Sequence, residues 1–592
     1  MTDDGQGIYT YNEKGELASV EDAVNETITR YEDDKTSVYS TDNSNLLYEY
    51  KTTEDGFRFE RHPQADGEVS QWIAEHYQDT DYENGVSQKT IAFNGSNIAT
   101  IKETTDKLGR LSQTNIIKPN NSSVLKKNFQ YKDLSVNRTT EQVSRIDYTF
   151  GNGSTFNENY TYNNYGQIET ITDSAGNVKR YKYDGFGQLI REDDPVKNKT
   201  ILYSYSEGNL TKKQEYAYTT ADTVGTCTNE ISYTYGDNNR KDLLTSYNGQ
   251  SITYDAIGNP TSYKGITLEW EKGRQLKTYD RGSLIIDYKY DVNGLRTEKK
   301  IGNTEHKYTY VNGQLYAYEV NGQQMFFSYD DNGSPLSFTC NGAVYHYQTN
   351  LQGDVIGIVN NSGTKVVSYS YDAWGYPTGS VPSSGIGYYN PLRYRGYVFD
   401  YETGWYYLQS RYYDPNMGRF LNSDDPTMVV FIMQPLGANL GAYCNNNPIM
   451  NVDIYGLWAE DYPGFKWTSK GFNLNVHRNF LSKSFCLKYA KDIIRLRGKK
   501  YWWGKGYKDM GEYRIAKELW FHALVYYVGP SIKGIFNKIG IPNGVVDKLM
   551  DRAGYMQINN NDWRVDFYTK AWTMSFLIET FVYLKLKYFP YF

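Results

Sequence analysis

The stretch YKYDGFGQLIRE at 181–192 decides how the rest of the chain is read. Its centre, Tyr-Asp-x-x-Gly, returns as YDAIG at 254–258, YDVNG at 290–294, YDDNG at 329–333 and YDAWG at 371–375, with looser copies YNEKG at 11–15 and YNNYG at 162–166. Neighbouring tyrosines such as Tyr162 and Tyr183, or Tyr290, Tyr310 and Tyr329, are about 20 residues apart, one hairpin's worth of chain. The chemistry of the unit fits a hairpin. Tyrosine and its neighbours favour a pleated strand, Asp or Asn closes an Asx-turn, and glycine supplies the positive φ of a tight reversal. A tyrosine ring packs while its hydroxyl reaches water or backbone, which suits a sheet with one dry side that encloses a wet space.

Composition agrees. The 592 residues hold 60 Tyr and 52 Gly against 24 Phe, unlike an average globular chain. Cys227, Cys340, Cys444 and Cys486 show no paired spacing, so neither a disulfide framework nor a zinc site is read from them. The first residues, MTDDGQGIYTYNEKG, lack a basic region followed by an apolar one and start inside a repeat, which reads as the C-terminal part of something longer. Before about residue 470, glycine punctuates too often for helices. The expected fold is mainly β: a hairpin-repeat array, then a small, mostly α-helical C-terminal domain. A generic solenoid or propeller scaffold is the plainer alternative.

The Tyr-Asp-x-x-Gly units resemble the YD repeats of Rhs proteins, which teneurins and insecticidal Tc-toxin C components share. The run RYRGYVFDYETGWYYLQSRYYDPNMGRFLNSDDP at 393–426 resembles the Rhs-associated core, whose signature is R-x-Y-D-P-x-x-G-R-F-x-x-x-D-P. The resemblance implies a β-strip spiralling into a hollow shell at 1–380, a core plug at 381–457 and a cargo toxin at 458–592. It further implies a secreted or cell-surface bacterial protein whose toxin acts inside a target cell, a cognate immunity protein, and an N-terminal shell or delivery region beyond this chain. A non-catalytic, teneurin-like adhesive repeat protein is the alternative.

In the family the core closes with N-N-P-x-x-x-x-D-P-x-G-L, and an aspartyl-protease-like pair cuts just after it. The matching stretch here is NNNPIMNVDIYGLW at 445–458. The resemblance assigns the pair to Asp425 and Asp453, the cut to the bond between Leu457 and Trp458, and a supporting role to Arg419. Two carboxylates facing each other in a dry site do not both ionise, so one keeps a proton as acid while the other activates water. An arginine too close would hold both ionised. Asp453-Ile454 stands where the family has Asp-Pro, removing a fixed φ. Asp424 is a third carboxylate beside the first, and turn formation is the ordinary role of aspartates beside Pro and Gly.

After Leu457 the chain changes character. Residues 458–592 hold 22 Lys and Arg against 11 Asp and Glu, a charge of +11, which leaves −17 for the rest. Such a domain suits nucleic acid, an anionic membrane, or simply an acidic container. In YRIAKELWFHALVYYV at 513–528, Arg514, Glu518 and His522 recur every four residues on one helical face. An ordinary i, i+4 ion pair with a core histidine explains that stripe too. In MQINNNDWRVDFYTKAW at 556–572, Asp562 and Asp566 lie one turn apart with Arg564 between, also a pattern of helix capping. His477 is a weak further candidate.

Converging, these groups would act as general base and acid around a phosphate steadied by arginine, the chemistry of a metal-independent ribonuclease. Alternatively Glu518, His522 and Asp562 hold one divalent ion. No HExxH, paired CxxC, P-loop or GxSxG motif chooses between them, and no other cofactor is indicated. Two apolar, basic-flanked runs, 518–536 and 571–589, keep a membrane-active tail in view. Gly529-Pro530 and Glu579 interrupt them short of a span, so no transmembrane segment is expected.

Overall fold

The structure, a computed structural model, describes residues 2–3, 7–12, 17–32, 34–42, 44–53, 56–62, 69–78, 86–108, 110–135, 138–311, 313–330, 333–379, 382–424, 439–456 and 460–461. All lie in the first of two units, Met1–Thr468 and Ser469–Phe592. Among the described residues the strands form two long antiparallel meanders. One has 22 strands, from Thr2–Asp3 to Gln250–Ser251, and the other 13, from Thr253–Tyr254 to Lys365–Ser368. The only α-helix described is the five-residue Gly385–Tyr389. The mainly β expectation holds, and the expected helical tail falls outside the described residues.

The hairpin at 181–192 shows why the repeat folds as it does. Asp184 accepts the backbone N–H of Phe186 and of Gln188 on Oδ1 at 2.9 Å each, and its own N–H donates to the Gln188 carbonyl at 3.0 Å. Gly187 sits at φ 84°, the left-handed region that a two-residue reversal followed by a bulge requires. The register slips between Lys182 and Tyr183, and the same slip precedes Tyr162, Tyr205, Tyr254, Tyr290 and Tyr329. Each bulge turns the tyrosine toward the preceding hairpin.

There its hydroxyl finds a fixed acceptor. Tyr162 donates to the carbonyl of Val143 (2.6 Å), Tyr183 to Ile168 (2.7 Å), Tyr205 to Leu189 (2.7 Å), Tyr254 to Leu244 (2.7 Å), Tyr290 to Leu276 (2.9 Å) and Tyr371 to Val355 (2.9 Å). Ile168 and Leu189 each stand two residues past the glycine of the preceding unit, Gly166 and Gly187. These units are therefore each bonded to a carbonyl of the chain before them, at Ile168 and Leu189 in the same place relative to the glycine.

The second meander lies along the first. Asn25 Nδ2 donates to the Tyr290 carbonyl (2.8 Å), Arg61 pairs with Glu319 (2.7 Å), Lys89 Nζ donates to the Tyr329 carbonyl (2.7 Å), and Lys179 Nζ to that of Tyr371 (3.2 Å). Both partners advance together, as successive turns of one coil do, with repeat tyrosines at the seam. The one-dry-side expectation fits Ile285–Tyr290, where exposed and buried positions alternate. It fails at Pro335–Cys340, buried throughout. In that second run Gly396 meets Pro335, and on the neighbouring strand Gln323–Tyr329 Phe326 is packed by Phe59 and Phe93 of the first meander.

Two predictions follow from this seam and its hydroxyls. Tyr183→Phe leaves a buried carbonyl without its donor and is expected to cost about 1–3 kcal/mol, whereas Tyr165→Phe, at an exposed turn tip, leaves the melting temperature unchanged. At the seam, Glu158 accepts the hydroxyls of Tyr160 (2.8 Å) and Tyr148 (3.2 Å), and Tyr148 also donates to the Thr349 carbonyl (3.0 Å). Burial pushes the Glu158 carboxyl up to about 7 against the opposing pull of those hydroxyls. A carboxyl raised on folding supports the fold fully below its unfolded value, near 4.5, and loses that support as pH rises through 7. Melting temperature should fall between pH 5 and pH 8, and fall less in Glu158→Gln.

Candidate functional site

Residues 398–424 pack into the coil. Val398–Asp400, Trp405–Tyr407, Tyr412–Asp414 and Arg419–Phe420 form a four-stranded antiparallel sheet, buried at nearly every position. Buried charges fix where it docks. Asp400 is gripped by Arg296 (2.5 and 3.0 Å) and Lys299 (3.2 Å), with the rings of Tyr308 and Tyr407 about the guanidinium. Asp414 accepts from Tyr263 Oη (2.5 Å) and Lys264 Nζ (3.1 Å). In the opposite sense, Arg395 reaches the wall at Asp354 (3.4 Å) and also donates to the Pro448 carbonyl, tying in the second motif. A buried charge left unpaired is strongly destabilising, so these pairs specify one docking register.

Tyr407 and Tyr412 face each other across a hairpin whose turn, Leu408–Arg411, lies at the heart of the site. Arg411 is buried. Its Nη2 stands 3.1 Å from Asp424 Oδ2 and 3.2 Å from Asp453 Oδ2, its Nη1 donates to the Leu440 carbonyl (3.0 Å), and its Nε donates to the Gly456 carbonyl. The guanidinium also lies 3.5 Å from the centre of the Phe420 ring. Asp453 is buried, and its backbone N–H donates to Tyr397 Oη (3.0 Å), which contacts Tyr443 Oη (3.1 Å). Burial first, and the charge of Asp453 second, push the neighbouring Cys444 thiol far above its ordinary range.

Past Asp453 the chain is held closely. Ile454 packs partly buried against the core, filling in where the family motif has proline. Asn451 pairs with Asp461 and Val452 with Glu460 in antiparallel register.

Of the expected residues, Asp453 stands in this site. Asp425, Leu457 and Trp458 lie outside the described residues, as do Arg514, Glu518, His522, Asp562 and Arg564. Arg419 lies among contacts of the plug with the wall. Its Nη2 donates to the Asp242 carbonyl (2.9 Å) and to Asn439 Oδ1 (3.2 Å), and its guanidinium lies 5.2 Å from the Tyr235 ring. It fastens the plug to the wall, whereas Arg411 meets the carboxylates. Arg411 is the first residue of the R-x-Y-D-P signature and Tyr397 precedes it by a strand, but neither carries a sequence signal of its own for this contact. Among the described residues no group of three or more His, Cys, Asp and Glu is placed to hold a metal ion.

Comparison with known proteins returns the same repeat. The RHS Repeat family model matches residues 162–199, which contain the YNNYG and YDGFG units. A tRNA3(Ser)-specific nuclease WapA of Bacillus spizizenii is 34% identical over 306 residues, 50% of this chain and 12% of that protein. Double-stranded DNA deaminase toxin A of Burkholderia cenocepacia is 24% identical over 350 residues, 50% of this chain and 22% of that one. The match thus spans less than a quarter of either relative. A crystal structure of TcdB2–TccC3–Cdc42 aligns with 76% of this chain and 27% of its own, at 16% identity and a TM-score of 0.47.

Replacing Arg411 by methionine leaves two buried carboxylates without their shared cation, an expected loss of about 3–5 kcal/mol. Adding Asp424→Asn and Asp453→Asn to Arg411→Met should recover part of it, read as the melting temperature of the three chains side by side.

Proposed function

We propose that this chain, which belongs to the Rhs/YD-repeat proteins, is a polymorphic toxin: a shell at 1–380, a plug at 381–457 that cuts the chain after Leu457, and a basic toxin at 458–592. The observation that carries the cutting step is the buried Asp453 sharing Arg411 with Asp424, three residues before the held Gly456.

The charges assign the roles. A guanidinium touching Asp424 and Asp453 favours the ionised form of both, and that trio carries a net charge of −1. Asp425, next to Asp424 in the chain, is the acid on this reading, kept protonated by the like charge beside it. Asp453 as base takes a proton from water, whose oxygen bonds to the Leu457 carbonyl carbon. Asp425 as acid gives its proton to the Trp458 nitrogen as the C–N bond breaks, leaving a carboxyl on one side and an amine on the other. Asp424 keeps Arg411 engaged, and Arg419 holds the plug to the wall.

For the tail we favour a nuclease. Its charge of +11 suits a phosphate backbone, and a relative is a tRNA nuclease. Arg514 and Arg564 would steady the phosphate, with Glu518 and His522 as base and acid and Asp562 beside them; a single divalent ion on Glu518, His522 and Asp562 is the other arrangement of the same groups. The reading includes secretion or surface display, action inside a competitor cell, and a cognate immunity protein in the producer. A membrane-active tail is the second reading, supported by the apolar, basic-flanked runs 518–536 and 571–589. Among the described residues no helix is long and apolar enough to cross a membrane.

Intact mass and N-terminal sequencing of the purified chain beside Asp425→Asn test the cutting step. A fragment starting at Trp458 in the parent and missing from the variant is expected; an uncut parent returns the aspartates to turn residues. Cells making residues 458–592 should stop growing as their RNA degrades. Dye leakage with intact RNA would favour the membrane reading, and unhindered growth would defeat both.

A further inference from the structure

The turn that carries Arg411 does more than place a cation. Ser410 Oγ lies 2.7 Å from the Tyr455 carbonyl and 2.6 Å from that of Gly456, and the Ser410 N–H donates to the Tyr455 carbonyl at 3.2 Å. Arg411 Nε donates to the Gly456 carbonyl. Two successive carbonyls just ahead of the bond at 457–458 are thus gripped from one side.

The grip leaves no room for a side chain at 456. Gly456 has φ 70°, and a Cβ there would stand 2.7 Å from the Leu408 carbonyl oxygen and 2.8 Å from Ser410 Oγ. The first of these is backbone in a turn closed by the Leu408 N–H to Arg411 carbonyl bond (2.9 Å) and pinned by Gln409 Nε2 on the Gly313 carbonyl (2.6 Å), so it does not yield. Both conformation and space select glycine.

We infer that Leu408–Arg411 is a backbone clamp for the strand to be cut, with Ser410 and Arg411 as positioning residues and Gly456 as the residue that determines which sequence the site accepts. The inference rests on the self-cleavage reading and specifies its substrate recognition. One planar guanidinium holds the Gly456 carbonyl and both carboxylates, so the acids and the strand keep a fixed separation. Among the described residues, the clamp's contacts fall on the acyl side of the bond. Once the bond breaks, the new C-terminus stays in the site while the amine side is free to leave, and each chain cuts once.

The test uses the full chain. In time courses of tail release, Gly456→Ala should slow cutting about 100-fold, the scale of a roughly 1 Å misplacement, and Ser410→Ala about 10-fold, with melting temperatures near the parent's. The same two changes on the Asp425→Asn background should expose the peptide bond after Tyr455 to chymotrypsin, which leaves it intact in Asp425→Asn alone. Cutting of Gly456→Ala at the parent's rate, or a Tyr455 bond equally resistant in all three Asp425→Asn chains, overturns the clamp. A parent that never cuts, with protection still lost in the variants, defeats the self-cleavage reading and the positioning role with it, while the retained protection identifies a holding element.

Discussion

The coil depends on one repeated hydrogen bond, from the hydroxyl of the tyrosine in each Tyr-Asp-x-x-Gly unit to a backbone carbonyl in the hairpin before it. A two-stranded hairpin is marginal in water. Here each hairpin is bonded to its neighbours through the sheet ladder and again through this hydroxyl, which sits at the bulge that aims it. Phenylalanine would fill the same space and leave the carbonyl unpaired. That accounts for a chain so much richer in tyrosine than in phenylalanine. Where the acceptor lies two residues past the preceding glycine, as at Ile168 and Leu189, the bond repeats in the same place from one unit to the next.

A strip built this way presents backbone and tyrosine along its seam, and little that would distinguish one docking position from another. The plug supplies that distinction with charge. Asp400 on Arg296 and Lys299, Asp414 on Lys264, and Arg395 on Asp354 run in both polarities. A shift along the wall would separate all of them in a medium where separation is costly. The same docking carries the hairpin 405–414, and with it the turn that holds Arg411 against Asp424, Asp453 and Gly456. Shell and candidate site are therefore linked mechanically through Tyr407 and Tyr412, which touch Arg296 on one side and bracket the turn on the other.

Much of the fold was legible in the linear sequence because its rules are local. The turn chemistry of Asp184 and Gly187 acts within five residues, and the alternation in Ile285–Tyr290 is the direct signature of a half-buried strand. Pro335–Cys340 reads no differently yet is buried on both faces, and the contact of Gly396 with Pro335 comes from a segment about sixty residues further along the chain. The candidate site divides in the same way. Asp453 was found through its motif. Arg411, in a motif as plain, carries no such signal, because the sequence does not say which of two nearby arginines turns toward a carboxylate.

The sequence by itself determined the repeating hairpin, its spacing, the break in charge after Leu457 and the two motifs that bracket the candidate site, since each is a pattern of residue types over short separations. Only the tertiary structure decided that the meanders stack with repeat tyrosines at the seam, that Arg411 and not Arg419 joins Asp424 to Asp453, and that Gly456 is enclosed by the Leu408–Arg411 turn. These contacts join residues 13 (Arg411 and Asp424) to 265 positions apart. Their partners are chosen by which buried charges and carbonyls are left to be satisfied once the coil has closed on the plug.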